Sequence, residues 1–374
     1  MKGPKKIYDA IVLGIGGMGS AACLSLARRG VSVLGLEQFD LAHDRGSSHG
    51  NTRMIRKAYF ESESYIPLLH RSYALWDGLE KDTQVSLFHR VGLLILGKAG
   101  GGIAIDRMQV AAKNHGIRLE VHEAQSLRAR FPWFSPPADY MGLFEPDAGY
   151  LLVEKCVEAQ AKFAEQLGAE LHFNETVESW DIVSSGIVVN TTNRKYTCRK
   201  LIVAGGPWSG KLLASIGLPL IIRRAPQFWF EASMDFSKAP CFAFDLPGQF
   251  IYGFPSTKDR GVKIAEYEPK EVVTDPATVN RNILTGDASN IQKCISEYLP
   301  SISPVPVASS TCMYTLTPDE NFIIDVHPNC SDIVIAAGFS GHGFKFAPLI
   351  GECLADLALD GGTKLPIDFL RRRW

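Results

Sequence analysis

Residues 8–29 read YDAIVLGIGGMGSAACLSLARR, an apolar run followed by glycines and then by small side chains. The run Tyr8–Leu13 predicts a buried strand, and the segment Ser20–Arg29 is compatible with a helix. The glycines between them are spaced Gly14-x-Gly16-x-x-Gly19. This spacing allows a tight turn and lets a pyrophosphate approach the N–H groups at a helix N-terminus. In its strand–turn–helix context the stretch predicts a dinucleotide-binding turn.

A carboxylate follows at the place where the ribose of such a ligand is recognised. The second predicted strand, Val31–Leu36, ends at Glu37, which lies 18 residues after Gly19. Glu37 is therefore placed to accept hydrogen bonds from the hydroxyls of an adenosine ribose. FAD and NAD share that ribose, so the turn and Glu37 leave open both a flavoprotein and a nicotinamide-dependent dehydrogenase.

Two later stretches repeat the order of strand, glycines and helix. Leu201–Ala204 precedes Gly205-Gly206-Pro207 and the helix-compatible segment 208–215. Ile333–Ala337 precedes Gly338–Gly343 and Ala347–Ala358. Each unit predicts a buried strand that leads into a helix, and buried strands of this kind are typical of a parallel sheet.

The remaining sequence has a different pattern. Residues 91–149 and 221–317 contain alternating runs such as Gln227–Glu231 and Phe250–Phe254, which predict an antiparallel sheet with helices. We therefore expect two interleaved domains. Residues 1–90, 150–220 and 318–374 would form the dinucleotide-binding domain, and residues 91–149 and 221–317 would form the substrate domain.

Composition excludes several function classes. The 374 residues are 46% hydrophobic and 21% charged, and 39 basic side chains face 40 acidic ones. A net charge of −1 creates no field that would attract nucleic acid or an anionic membrane. The uncharged stretch Ala10–Ala27 is too rich in glycine for a membrane span. The eight cysteines are scattered without a C-x-x-C pair, which predicts reduced thiols, no metal site and a cytoplasmic location.

Three blocks extend the interpretation. They read GSSHGNTRMIRKAY at 46–59, STCMYTLTPDENFIID at 310–325 and AGFSGHGFK at 337–345. The first block alone is typical of a solvated loop. Together, the blocks resemble the monomeric sarcosine oxidase family of flavin-dependent secondary amine oxidases, which includes N-methyltryptophan oxidase and the peroxisomal sarcosine/pipecolate oxidases. The resemblance runs from about Tyr8 to beyond Gly351.

The resemblance implies a fold and a reaction. The fold would be α/β (α+β in two domains), with a Rossmann-like FAD-binding domain interleaved with an antiparallel substrate domain, as in D-amino-acid oxidase. The FAD would be attached covalently through a thioether to Cys312. Oxidation of an N-methyl amino acid would give an imine, then formaldehyde and the primary amino acid, while O2 becomes H2O2. The family name favours a monomer.

The resemblance also implies the site residues. Arg56 and Lys345 would bind the substrate carboxylate, and Arg53 would lie against the flavin. Lys263 would promote reaction with oxygen from the other flavin face; its strand pattern also allows an outward-facing side chain, and the motif position favours the functional role. The other catalytic candidates are His49, Tyr252, Tyr314, His342 and Tyr267. The cofactor-binding candidates are Cys312, Gly14, Gly16, Gly19, Glu37, Ser47, Ser48, Thr52, Arg53, Val177, Trp208, Gly341, Gly343, Phe344 and Lys345.

One position departs from the family pattern. Tyr267 lies where the family has an active-site histidine, which puts sarcosine itself in doubt and leaves L-pipecolate or a larger secondary amine as alternatives. The clustered cations Arg53, Arg56, Lys263 and Lys345 are expected to lower the pKa of a bound amine. A catalytically inactive flavoprotein scaffold is the third class, and the presence of all four cations is unfavourable to it.

Overall fold

A computed structural model describes residues 6–98, 100, 102–257 and 260–373 of the chain. Its strands are β1 (Ile7–Leu13), β2 (Val33–Leu36), β3 (Thr52–Ile55), β4 (Phe88–His89), β5 (Leu93–Lys98), β6 (Glu120–Glu123), β7 (Tyr140–Glu145), β8 (Gly149–Leu152), β9 (Glu170–His172), β10 (Val177–Val183), β11 (Gly186–Thr191), β12 (Lys195–Val203), β13 (Ile221–Ala232), β14 (Cys241–Leu246), β15 (Gln249–Phe254), β16 (Val262–Glu266), β17 (Val272–Val273), β18 (Ile302–Leu316), β19 (Ile323–His327) and β20 (Cys330–Ala337). Its helices are α1 (Gly17–Ala27), α2 (Ile66–Thr83), α3 (Ile103–His115), α4 (Ala124–Arg130), α5 (Val153–Gln166), α6 (Ser209–Leu212), α7 (Ser289–Tyr298) and α8 (Ala347–Asp360).

The three predicted strand–glycine–helix units lie in one sheet. Its parallel strands follow the order β9-β2-β1-β12-β20, while β10, β11 and β19 pair antiparallel at its margins. Ile11 pairs with Leu201, and Leu201 pairs with Ile333, so the beginning, middle and end of the chain meet. The sheet is buried on both faces: Val12 and Ile202 pack towards α1 and α8, whereas Ile11 and Leu201 pack on the opposite side.

One of the three helices is shorter than expected. The segment 208–215 contains only the single turn α6, between 3-10 turns at Gly206–Trp208 and Ala214–Ile216. Gly210 lies within α6, and Gly217 ends the segment in the left-handed conformation at φ +57°. Glycine costs a helix interior about 1 kcal/mol relative to alanine, which a helix of this length does not recover.

A second sheet follows the order β17-β13-β16-β15-β14-β5-β7-β6, with β18 also paired to β13. Its pairings are antiparallel, as the alternating runs predict, except that β5 and β14 run parallel with Leu94 opposite Phe242. These two strands come from separate stretches of chain, so no hairpin sets their direction. α7 covers one face, where Ile291 and Ile295 pack with Phe228 and other phenylalanines. A small third sheet has the order β3-β8-β4.

The elements that carry the quoted blocks converge between the sheets. β3 and the segments on either side of it carry residues 46–59, the end of β18 carries Cys312 and Tyr314, and the segment after β20 carries residues 338–345. Over the described residues, the helices include none that is both long and apolar enough to span a bilayer.

Candidate active site

A cavity of about 300 Å³ lies beyond the carboxyl ends of the parallel strands, where ligands of open α/β sheets bind. Leu13, Leu36 and Ala204 line it at the ends of β1, β2 and β12. Most of the predicted cofactor residues line it too: Gly14, Gly16, Glu37, Ser47, Ser48, Arg53, Val177, Trp208, Gly341, Gly343 and Phe344. Gly19, Thr52, Cys312 and Lys345 are not among its lining residues.

Each of the three glycines of the first turn is present for a different structural reason. Gly14 has φ +87°, and a Cβ there would stand 2.7 Å from the carbonyl oxygen of Ala204. A Cβ on Gly19 would overlap the carbonyl oxygen of Gly14, so Gly19 permits the close approach of helix and turn. Gly16 meets only Ser48 Oγ at 3.6 Å, an ordinary contact. Gly16 instead leaves open the cavity wall where a phosphate would lie.

Glu37 stabilises the same turn by accepting hydrogen bonds from the backbone. One carboxylate oxygen accepts a hydrogen bond from Ile15 N at 2.8 Å, and the other accepts from Phe39 N at 3.1 Å. Glu37 is buried and lines the cavity. A carboxylate has about four acceptor positions. Glu37 therefore keeps capacity for the ribose hydroxyls while it fixes the loop around them.

Cys312 lies behind the wall of the large cavity, next to a cation. Arg53 Nη2 donates to Ser47 O at 2.8 Å and approaches Cys312 Sγ at 3.3 Å. Ser47 Oγ in turn donates to Met313 O at 2.7 Å. Cys312 is fully buried, and its neighbours Met313 and Tyr314 line the cavity. All eight cysteines are free, and burial raises the pKa of Cys23, Cys198 and Cys353 to about 12.

A second cavity of about 60 Å³ adjoins the first. The two share Arg53, Tyr314, Gly341 and Phe344 as lining residues. The smaller one is further lined by Met54, Arg56, Phe60, Glu61, Phe250, Tyr252, Phe254, Tyr267, His342 and Lys345. A ligand in the small cavity would therefore lie against a cofactor in the large one.

Arg56 has a carboxylate partner that the sequence interpretation did not include. Arg56 Nη2 lies 2.6 and 2.7 Å from the two oxygens of Glu61, and Arg56 Nη1 donates to Ala58 O at 2.8 Å. The two side chains are only 5% and 13% exposed. Burial, the largest single influence, would raise the pKa of Glu61, but the charge and hydrogen bond of Arg56 together with neighbouring cations such as Lys345 outweigh it and hold that pKa below its ordinary value.

Lys345 and His342 also line this cavity. Lys345 Nζ donates to His342 O at 2.7 Å, and burial lowers the pKa of Lys345 to about 7. His342 Nε2 lies 3.1 Å from Glu320 O, which can only accept, so this nitrogen carries the proton. His342 Nδ1 then accepts from the Tyr59 hydroxyl at 2.5 Å. Burial also lowers the pKa of His342 to about 4, so the ring is neutral at pH 7.

The tyrosines of the small cavity differ in their partners. The hydroxyls of Tyr252 and Tyr314 lie 3.1 Å apart and bond to each other. The buried hydroxyl of Tyr267 has no hydrogen-bond partner in the described part of the chain. Burial raises the pKa of all three, so each phenol keeps its proton at pH 7.

Lys263, His49 and Thr52 lie outside the walls of both cavities. Lys263 is 2% exposed and points inward, where Nζ donates to Gly50 O at 2.7 Å and Thr52 O at 3.0 Å. Burial, and then the charge of Arg53, lowers its pKa well below the ordinary value. The same causes lower the pKa of His49 to about 3. The structure therefore places three of the four predicted cations around the small cavity and Lys263 behind Arg53.

The chain matches the family model described as "FAD dependent oxidoreductase" over residues 9–357. It belongs to this family. The monomeric sarcosine oxidase of Bacillus sp. (strain B-0618) is 40% identical over 368 residues, covering 96% of this chain and 93% of the relative. The N-methyl-L-tryptophan oxidase of Yersinia pestis (strain Pestoides F) is 32% identical, covering 96% and 97%.

A solved structure agrees with this membership. NikD, an unusual amino acid oxidase essential for nikkomycin biosynthesis, superposes with a TM-score of 0.89 at 26% identity and covers 99% of this chain and 98% of its own. The family resolves the choice between the two nucleotide cofactors in favour of FAD. The cradle at Gly14 and Gly16, with Glu37 at its edge, fits the adenosine diphosphate part of that cofactor.

The sequence interpretation missed Glu61 and Tyr59 as functional candidates. Glu61 follows Arg56 by five positions, and an acid so close to a predicted carboxylate-binding arginine is the signal that was present. Tyr59 stands at the end of the first quoted block. Its ring centroid lies 4.5 Å from Arg56 Cζ and 5.1 Å from Lys345 Nζ, within cation–π distance of both cations.

Proposed function

We propose that this FAD-dependent oxidoreductase is an oxidase of small secondary amino acids, with oxidative demethylation of an N-methyl amino acid as its reaction. The single observation that carries the proposal is the junction of the two cavities. A pocket with Arg56 and Lys345 opens against the flavin-sized cavity at Arg53 and Tyr314. The relatives named for sarcosine and for N-methyl-L-tryptophan support the choice of substrate class. Oxidation of L-pipecolate or another cyclic secondary amine is the alternative.

In this proposal the substrate carboxylate binds between Arg56 and Lys345. Each charge-assisted contact contributes about 1.5–3 kcal/mol. Glu61 already accepts hydrogen bonds from part of the Arg56 guanidinium. The remaining N–H groups of Arg56 and the Lys345 ammonium therefore donate to the ligand carboxylate. Tyr59 packs on both cations and limits their movement.

The amine must be bound in its neutral form, because an ammonium has no lone pair to assist C–H cleavage. FAD held by the residues of the large cavity would supply the acceptor for two electrons from the amine, with O2 as their final acceptor. The excess of positive charge around the pocket lowers the pKa of the bound amine. The imine product is hydrolysed by water, so that an N-methyl substrate yields formaldehyde and the primary amino acid, with H2O2 from O2.

We further propose a thioether between Cys312 and the 8-methyl carbon of FAD. Forming the C–S bond removes one S–H and one C–H hydrogen, and the two electrons and two protons pass to O2 as H2O2. The guanidinium of Arg53, whose Nη2 lies 3.3 Å from Cys312 Sγ, supports this role, because a fixed cation stabilises negative charge that develops on an attacking sulfur.

Lys263 is proposed as the group that promotes reaction with O2. Its buried amine is fixed by two carbonyl oxygens next to Arg53, which is the preorganisation expected of a charge that stabilises developing superoxide. We propose the domain boundaries that the sequence predicts: residues 1–90, 150–220 and 318–374 for a Rossmann-like FAD domain, and residues 91–149 and 221–317 for the substrate domain. We propose a monomer in the cytoplasm, and eight unpaired cysteines support a reducing compartment.

The test is anaerobic bleaching of the flavin by sarcosine, N-methyl-L-tryptophan, L-pipecolate and L-proline, followed by assay of formaldehyde and H2O2 in air. We expect rapid bleaching and both products with a small N-methyl amino acid. Bleaching by L-pipecolate alone would favour the alternative. No bleaching by any of these amines would refute the proposal and favour the inactive flavoprotein.

Covalent attachment has a separate test. Yellow colour should stay with the polypeptide after acid denaturation, and Cys312→Ser should release it. Cys330→Ser is the matched control, because Cys330 is the first residue of β20, at the end of the sheet away from the large cavity. Release of all flavin from the unmodified protein would disprove the thioether.

A further inference from the structure

The hydroxyl of Tyr267 is the one phenol of the small cavity without a partner in the described part of the chain. The other two tyrosines that line it, Tyr252 and Tyr314, bond to each other at 3.1 Å. The Tyr267 oxygen is buried although part of its ring is exposed. Its position is fixed by the backbone, since Tyr267 N donates to Phe250 O at 2.9 Å and the two rings meet at 5.9 Å between centroids.

A buried hydroxyl without a partner is uncommon and costly in a native protein. Because burial keeps the Tyr267 phenol protonated, it can serve as a hydrogen-bond donor across the working pH range. The charged groups that act on it most strongly are Glu61 and Arg56. Tyr267, Arg56 and Glu61 line the same small cavity, so the free donor belongs to the pocket in which Arg56 would hold a substrate carboxylate.

The size of the cavity limits what can accept this hydrogen bond. At about 10–15 Å³ for each water-sized group, 60 Å³ is room for about four to six such groups. A secondary amino acid of about six non-hydrogen atoms fills this space, whereas one that carries an indole side chain is too large to fit in it. Such a molecule offers only two kinds of acceptor, the carboxylate oxygens and the amine lone pair. The lone pair must stay free for oxidation, so the carboxylate is the acceptor compatible with turnover.

We propose that the Tyr267 hydroxyl donates a hydrogen bond to the substrate carboxylate, as a third contact beside Arg56 and Lys345, and that it selects small secondary amino acids with a free α-carboxylate. This inference rests on the proposed function. It assigns to Tyr267 a binding and specificity role, and it leaves the electron-transfer step to the other groups around the flavin.

The test compares the unmodified holoenzyme with Tyr267→Phe in anaerobic rapid reduction, with sarcosine and its neutral amide, sarcosinamide, as substrates. For sarcosine we expect the Kd to rise about 10- to 100-fold, which corresponds to the loss of one charge-assisted hydrogen bond. The limiting rate of reduction should change little. For sarcosinamide we expect a smaller rise, because a bond to a neutral carbonyl is weaker. Loss of an unpartnered hydroxyl should leave the thermal stability of the ligand-free protein unchanged or higher.

The matched control is Tyr140→Phe. Tyr140 is also buried and bonded through its hydroxyl, to Tyr298 at 3.2 Å, but it lines neither cavity. Its removal should leave both Kd values unchanged. An unchanged Kd for sarcosine in Tyr267→Phe would overturn the inference, as would equal losses for the acid and the amide. If no secondary amino acid reduces the unmodified enzyme, the proposed function itself fails, which is a distinguishable result.

Discussion

Replacement of Glu61 by glutamine removes the charge that compensates Arg56 and keeps almost the same shape. The two side chains are 5% and 13% exposed and joined by contacts of 2.6 and 2.7 Å, so solvent screens this pair little. Loss of one partner from a buried ion pair costs about 3–5 kcal/mol. Because glutamine retains one acceptor oxygen, we expect the free energy of unfolding to fall by about 3 kcal/mol.

The same change should strengthen the binding of anions. With Glu61 neutral, Arg56 loses its buried ion-pair partner, and a carboxylate ligand supplies a new one. We expect the Kd of a carboxylate inhibitor to fall about tenfold, which is the value of roughly one additional charge-assisted contact. The ligand should therefore stabilise Glu61→Gln against unfolding more than it stabilises the unmodified protein.

Urea unfolding of the holoenzyme, with and without the inhibitor, measures both effects. Glu63→Gln is the matched control, because Glu63 lies two residues away, its side chain is 42% exposed and it contacts His115 at 3.1 Å. A surface pair of this kind contributes at most about 1 kcal/mol. If Glu61→Gln and Glu63→Gln lost the same stability and bound the inhibitor equally, the buried pair would not hold Arg56 as described.

The pH dependence gives an independent check. The pKa of Glu61 in the folded protein lies below its ordinary value of 4.5. The pair therefore contributes its full stability above about pH 4.5, and the contribution is lost as the pH falls through the lower folded-state pKa. The difference in stability between the unmodified protein and Glu61→Gln should be largest near pH 6 and should shrink in acid. It should also decrease as the pH rises through about 7, because Glu61 raises the pKa of Lys345 and this interaction is lost when Lys345 loses its proton.

Three further predictions follow from the geometry. Burial lowers the pKa of Lys345 to about 7, so above pH 7 Lys345 must take up a proton when a carboxylate inhibitor binds. The Kd of the inhibitor should therefore rise up to tenfold per pH unit above pH 7. In a titration of Kd against pH, Lys345→Met should abolish this slope. Lys263→Met should still be reduced by substrate, but its reoxidation in stopped-flow mixing with O2 should slow about 100-fold, and unchanged reoxidation would disprove its role. Gly19→Ala should destabilise the protein by about 3 kcal/mol and weaken FAD retention, because the added Cβ would overlap Gly14 O. Gly78→Ala is the control in the same unfolding assay. Gly78 faces open space within α2, so this change should stabilise the protein by up to about 1 kcal/mol.

The local signals in the sequence predicted the framework well. The expected strand Tyr8–Leu13 begins one residue after β1 does, and Ile333–Ala337 lies within β20, since an apolar run bounded by glycines has few alternatives to a buried parallel strand. The pairing of β5 with β14 could not be predicted, because no turn connects these strands and direction is then set by the packing of the whole sheet. The direction of Lys263 was open for a related reason: Val262, Ile264 and Ala265 around it are all buried, so β16 shows no alternation of faces.

The charge of the pocket is the point at which structure changes the chemistry inferred from sequence. The sequence offered four cations, but a sequence position does not reveal whether a cation is already compensated. Arg53, Arg56 and Lys345 line the small cavity together with one carboxylate, Glu61, while His342 is neutral. With Lys345 protonated, the pocket keeps an excess of two positive charges, and a bound carboxylate still leaves one. A pocket that stays positive with its anion bound continues to disfavour an ammonium next to the flavin. The proposed preference for a neutral amine therefore depends on Arg53 and Lys345, since Arg56 and Glu61 cancel each other.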